Sequence, residues 1–131
     1  MKIREIINAI EAFAPPSLQE GYDNTGYQTG NPDAEASGAL LCIDVTEGII
    51  DEAVAKGCNL VITHHPLLFR GVKCVIGRDR PERVLAKAIR NDITVYSSHT
   101  AMDSAVGGVS WRMAGKLGLT DTEVLVPSSP G

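Results

Sequence analysis

Asn59-Leu60-Val61-Ile62-Thr63-His64-His65-Pro66-Leu67 is an apolar run without polar alternation that ends in two histidines and a proline. Branched apolar residues in succession, with no polar residue spared for solvent, read as a strand covered on both faces. Ala39-Leu40-Leu41-Cys42-Ile43, ended by Asp44, has the same character upstream. Ile93-Thr94-Val95-Tyr96, followed by Ser97-Ser98-His99, has it downstream.

Between these runs the spacing predicts helices. Thr46 can cap a helix carrying Ile49, Ile50, Ala53 and Val54, which stops at Gly57, a residue suited to a left-handed cap. Asp79-Arg80-Pro81-Glu82 starts another: Asp79 as cap, Pro81 in the first turn, Glu82 as capping-box partner, and Val84, Leu85, Ala88 and Ile89 as its buried face. Ile3, Ile6, Ile7, Ile10 and Phe13 recur at helical spacing before Pro15-Pro16 breaks the pattern. Gly107-Gly108 precedes a last helix through Trp111, Met113, Ala114 and Leu117. The connection from Leu67 to Ile76 has no regular pattern. Strand alternating with helix gives an α/β fold: a mostly parallel sheet with helices on its faces and right-handed crossovers. Glu20 to Pro32, rich in Gly and Asn, reads as a long structured loop. Val124-Leu125-Val126 reads as a further strand begun just before residue 131.

At 131 residues and 44% hydrophobic content, residues 1–131 fit a single α/β domain with its own core. A net charge of -4 with scattered basic residues gives no nucleic-acid footprint. No stretch approaches the roughly 18 apolar residues of a membrane span, and the N-terminus is amphipathic where a leader would be continuously apolar. Cys42, Cys58 and Cys74 form no C-x-x-C pair and sit in or beside apolar segments, so they read as reduced core thiols and not as zinc ligands. These features together place the protein in the cytoplasm.

All three histidines lie just beyond strand ends: His64 and His65 after the second apolar strand, His99 after the third, with Asp103 four residues on. In a parallel sheet the crevice beyond the carboxyl ends of the strands is where ligands bind. Imidazole and carboxylate are ligands for zinc, iron, manganese or nickel, so the cluster reads as a divalent-metal site. Adjacent residues in extended backbone point to opposite sides, which would have His64 and His65 serve two ions, with Asp103 on either or between them. His99 is then placed to move a proton. Asp23-Asn24 can face the site from the long loop, although Asx-turn chemistry already accounts for them. Ser98 and Cys74 show no base that would make either a nucleophile, and Gly107-Gly108 is read as a turn in preference to an anion cradle.

Tyr22-Asp23-Asn24-Thr25-Gly26, Leu41-Cys42-Ile43-Asp44-Val45-Thr46, Asn59 to Leu67, Ser98-His99-Thr100-Ala101-Met102-Asp103 and Gly107-Gly108-Val109 together resemble the Nif-three-like family. These are dinuclear metal-centre proteins, often labelled GTP cyclohydrolase I type 2 homologues. The resemblance implies that His64, His65 and Asp103 ligate two divalent ions, with His99 lining the same pocket. It implies a ring-like homohexamer and a nucleotide substrate, the labelled reaction being opening of the GTP purine ring to a dihydroneopterin product. Family members also supply a C-terminal His and Glu in an H-x-x-x-E pattern. Here no histidine follows His99, and Glu123 has no histidine partner. The expectation is the N-terminal part of a longer protein, with about half a site and metal weakly held or absent. A non-catalytic metal-binding scaffold or regulatory interaction protein is the alternative, since no paired aromatic clamp or P-loop is visible. A metal-free α/β domain is the third reading.

Overall fold

The structure, a computed structural model, describes residues 1–127. Four strands form one sheet in the order β1-β4-β3-β2, namely β1 (Gly26–Thr29), β2 (Ala39–Cys42), β3 (Leu60–Thr63) and β4 (Thr94–Ser97). β2, β3 and β4 are parallel, with Leu41 level with Ile62 and Ile62 with Tyr96. β1 adds antiparallel to the free side of β4. The expected parallel sheet is therefore present, with one antiparallel edge strand inside the stretch read as loop. Gly30, at φ +108, closes that strand so tightly that a Cβ there would collide with Thr94.

Helices cover both faces. α2 (Glu47–Ala55) and α3 (Arg80–Arg90) pack on one, where Ile50, Ala53, Val84 and Ala88 meet Val61 and Val95. α1 (Ile3–Phe13) covers the other, burying Ile3 and Ile7 against Leu60 and Tyr96. Alternation along β3 and β4 sends neighbouring side chains into the two separate cores. Burial of each such Ile or Leu stabilises the fold by about 1.5–3 kcal/mol.

The caps fall where the sequence places them. Thr46 accepts from the Ile49 N–H, Asp79 accepts from the Glu82 N–H, and Gly57 is left-handed at φ +67. Glu82 does not reach back to Asp79 as a capping-box partner. Its buried carboxylate instead accepts from the backbone N–H of Ile76 (3.1 Å) and Arg78 (2.9 Å) and from the Arg78 guanidinium, pinning the irregular connection before α3.

Two further expectations are corrected. β2 is an edge strand with one face uncovered: Leu41 is 74% and Ile43 67% exposed, because the buried residues of α1 pack on β3 and β4. Val124–Val126 form no strand. Beyond β4 the chain enters α4 (His99–Ser104), a short helix not read from the sequence, then α5 (Val109–Lys116). Gly108 lies so close to the Met102 carbonyl that a Cβ would overlap it, which explains a glycine at this turn without an anion. No helix among the described residues is long and apolar enough to cross a membrane.

Candidate metal centre

β2, β3 and β4 all deliver polar residues at their carboxyl ends: Asp44 beyond β2, His64 and His65 beyond β3, His99 beyond β4. One ring nitrogen from each histidine lies within 4.8 Å of those of the other two. Ring centroids are 5.0 Å apart for His64 and His65, 5.4 Å for His64 and His99, and 5.6 Å for His65 and His99. Three imidazoles at that separation could hold a metal ion.

The opposed arrangement expected for His64 and His65 is not what forms. β3 ends at Thr63, and the next two residues lie in a bend. The Thr63 hydroxyl, 2.9 Å from the Ile43 carbonyl and 3.1 Å from the His65 carbonyl, holds that bend. The Ser97 hydroxyl donates to the His64 carbonyl at 2.9 Å, fixing the same backbone to β4. Strand alternation has stopped, so both rings turn to one side.

Each histidine faces a carboxylate. His65 Nδ1 is 2.9 Å from Asp44 Oδ1, His99 Nδ1 is 2.8 Å from Asp23 Oδ1, and His64 Nε2 is 3.6 Å from Asp103 Oδ1. An ionised carboxylate only accepts, so in neutral His65 and His99 Nδ1 carries the hydrogen and Nε2 keeps its lone pair, whereas His64 approaches Asp103 through Nε2 at a distance too long for a hydrogen bond. The former is how metal-ligating histidines are ordinarily oriented, and the residues fit a divalent ion on this ground. His64 titrates below the usual histidine range: burial lowers it most, and His65 and His99 add to the effect against the pull of Asp103 and Asp23. A depressed value keeps the ring neutral, the form that ligates.

Asp23 is the residue that sequence reasoning undervalued. Its side chain is fully shielded, and besides His99 it accepts from the Thr100 N–H (3.0 Å), the Thr100 hydroxyl and the Asn24 N–H (2.6 Å). Burial pushes its carboxyl up, but these hydrogen bonds outweigh burial and hold it far below the usual carboxylate range. The Asx turn expected here does not form, because the Thr25 N–H donates to Gln19 Oε1; the Asp23 carboxylate instead positions His99 and caps the start of α4. By sequence alone Asp44 is only a strand terminator. Its position level with His64-His65 at the end of a neighbouring parallel strand is the signal that finds it.

His99 and Asp103 lie four residues apart on α4, a spacing that puts both on one helix face. The Ser98 hydroxyl is buried with no hydrogen-bond partner among the described residues, so no base activates it. All three cysteines are free and partly buried. Two exposed aromatics rim the site: Phe69 is 6.3 Å from the His99 ring and 6.4 Å from the Tyr22 ring, both edge-on. The sequence shows no such pair because 46 residues separate them. Asn24 Nδ2, donating to the Leu68 carbonyl at 2.7 Å, draws the two segments together.

Residues 1–130 match the family Duf34/NIF3 (NGG1p interacting factor 3). A GTP cyclohydrolase 1 type 2 homolog of Clostridium acetobutylicum is 36% identical over 98% of this chain and 48% of its own length, and one from Clostridium perfringens is 39% identical over 99% and 49%. The crystal structure of a Bacillus cereus protein related to NIF3 superposes with a TM-score of 0.91 at 38% identity, covering 98% of this chain and 36% of that one. The chain thus spans about half the length of these two curated relatives.

Proposed function

This chain belongs to the Duf34/NIF3 family, and on that footing we propose that it is the metal-holding part of a hydrolase-like protein of the GTP cyclohydrolase 1 type 2 kind. His64, His65 and Asp103 would hold divalent ions of zinc, iron, manganese or nickel, their number of two resting on the family resemblance and not on the ring directions. Bound there, the ions supply Lewis acidity and make water acidic enough to act as a nucleophile near neutral pH. His99, oriented by the ionised Asp23, would pass a proton between water and a nucleotide substrate. His65, fixed by Asp44, and His64, kept neutral by burial, present lone pairs without reorganising. The working assembly is a homohexamer in the cytoplasm. The observation that carries the reading is the convergence of three imidazoles, two of them, His65 and His99, each hydrogen-bonded through Nδ1 to a carboxylate.

The test is elemental analysis of the purified protein joined to nucleotide turnover with defined metals. The reading expects metal that is lost in His64→Ala and His65→Ala, and turnover of GTP that requires it. Metal without turnover of any nucleotide would favour the non-catalytic scaffold instead, and metal content unchanged by either substitution would refute the site. The closeness of His99 to both other rings supports a second role for that residue, a third imidazole ligand. His99→Ala that keeps metal but loses turnover makes it the proton carrier; His99→Ala that loses metal makes it a ligand.

A further inference from the structure

The segment after His65 encloses a cleft of about 510 Å³ with the start of α3. Its lining includes Phe69, the aromatic residue that also meets the His99 ring. Four cations and two carboxylates line it in a chain whose net charge is -4. The carboxylates are committed already: Asp79 caps α3, and Glu82 binds Arg78 and the backbone around it. Arg70, Lys73 and Arg80 have no ion-pair partner among the described residues, whereas Lys2, Arg4, Lys56, Arg78, Arg83 and Lys87 do; Arg90, Arg112 and Lys116 are likewise unpaired but lie outside the cleft. Three exposed, uncompensated cations in one concavity are the chemistry that takes phosphate oxygens, the guanidinium by paired N–H donors and the ammonium as a point charge.

We propose that this cleft is a polyphosphate subsite, in which Arg70, Lys73 and Arg80 receive the phosphates of a nucleotide whose ring lies against Phe69 and Tyr22. Phe69 joins the two regions, since it belongs to the cleft wall and stands at the rim of the histidine cluster. Tyr22 and Phe69 are 67% and 51% exposed, and the Asn24 side chain, bonded to the Leu68 carbonyl, holds their two segments together. Their π-faces suit a planar heteroaromatic ring, and such stacking is worth roughly 1–3 kcal/mol per base in other proteins. The subsite deepens the nucleotide reading of the metal centre and rests on it only for what becomes of the bound ring.

The experiment is calorimetric titration of chelator-treated protein with GTP, guanosine and inorganic triphosphate, run beside elemental analysis of the same protein after zinc, iron, manganese or nickel is added back. Working without metal keeps phosphate binding separate from phosphate–metal chelation. The expected result is a preference for GTP over guanosine of roughly tenfold or more, set by charge-assisted hydrogen bonds to phosphate. Arg70→Ala/Lys73→Ala removes that preference, Arg80→Ala reduces it independently, and Phe69→Leu weakens GTP and guanosine alike while sparing triphosphate. Arg90→Ala/Lys116→Ala, which removes the same charge elsewhere, leaves all three affinities in place. GTP binding unaltered by Arg70→Ala/Lys73→Ala, or equally reduced by the control pair, would overturn the subsite. Triphosphate matching GTP in affinity with Phe69→Leu silent would also overturn it, leaving a free-polyphosphate site. If the chelator-treated protein takes up no zinc, iron, manganese or nickel when these are added back while the expected pattern holds, the metal reading fails and the subsite stands.

Discussion

His99 Nδ1 lies 2.8 Å from Asp23 Oδ1, a contact made across 76 residues of chain by a carboxylate with no solvent exposure. The same carboxylate takes the first amide of α4 beyond His99, so one residue sets both the ring and the helix that carries it. Asp23→Asn keeps the shape and removes the charge. It is expected to destabilise the fold by about 1–3 kcal/mol, the range for a buried hydrogen-bonded group left poorly matched. It is also expected to cost roughly 10–100-fold in turnover where His99 carries the proton, or in metal affinity where it ligates. Urea unfolding, turnover and metal titration measure these effects separately.

Asp103 behaves differently, because its side chain is partly exposed and stands 3.6 Å from His64. Asp103→Ala is expected to change stability by less than about 1 kcal/mol, as for other exposed ion pairs. Metal content should nevertheless fall. A variant that unfolds at the wild-type urea concentration yet binds less metal confirms the role as ligand; equal metal content removes it.

Ile7 is fully buried between α1 and the sheet, in the core that also holds Leu60 and Tyr96. Ile7→Ala should cost about 2–5 kcal/mol through lost burial and the cavity left behind. The histidine cluster lies at the strand ends and draws on no residue of that core. Metal stoichiometry at a temperature where the variant is folded should therefore match the wild type.

Gly108 allows α5 to start against α4, with its α-carbon facing the Met102 carbonyl. Gly108→Ala forces these backbones apart and is expected to destabilise the protein by about 1–3 kcal/mol. Since α4 carries both His99 and Asp103, metal affinity should fall with it, which thermal unfolding and metal titration on one sample would show. An alanine variant as stable as the wild type would mean that the two helices separate freely.

Glu82 gives the pH dependence. The Arg78 side chain first, then the Arg78 and Ile76 amides, hold its carboxyl down to about 2 from the usual 4.5. A folded-state value below the unfolded one stabilises the native state fully above 4.5 and is lost as pH falls toward about 2. Glu82→Gln should thus be less stable than the wild type at neutral pH, with the gap closing over that acid range. Paired urea midpoints across it provide the check, and a gap independent of pH would contradict the assignment.

The sheet was legible because Leu60-Val61-Ile62 and its two companions are apolar without alternation, and the caps because Thr46, Asp79 and Gly57 each meet one local geometric need. Tertiary effects hid the rest. β1 has four residues and no apolar pattern of its own, and becomes a strand only because β4 offers a free edge. α4 has six residues and no apolar repeat, and is fixed by the Asp23 carboxylate arriving from outside its own segment. The turning of His64 and His65 to one side depends on the Thr63 hydroxyl folding the next backbone turn, which strand periodicity does not describe. Asp23 was visible as a residue, but its buried partner was not, since nothing local links positions 23 and 99.

The groups around the histidine cluster come from residues 23, 44, 64, 65, 99 and 103, so no short stretch of chain contains the site. Bringing its ends together closes large loops, and the entropy of that closure is recovered only once β2, β3 and β4 stand side by side. An ion taken up by the finished cluster has little to bind in the unfolded chain and raises native stability in proportion to the logarithm of its concentration. Metal uptake would then serve as a clock for folding, arriving after the sheet has closed and slowing with any substitution that delays strand pairing.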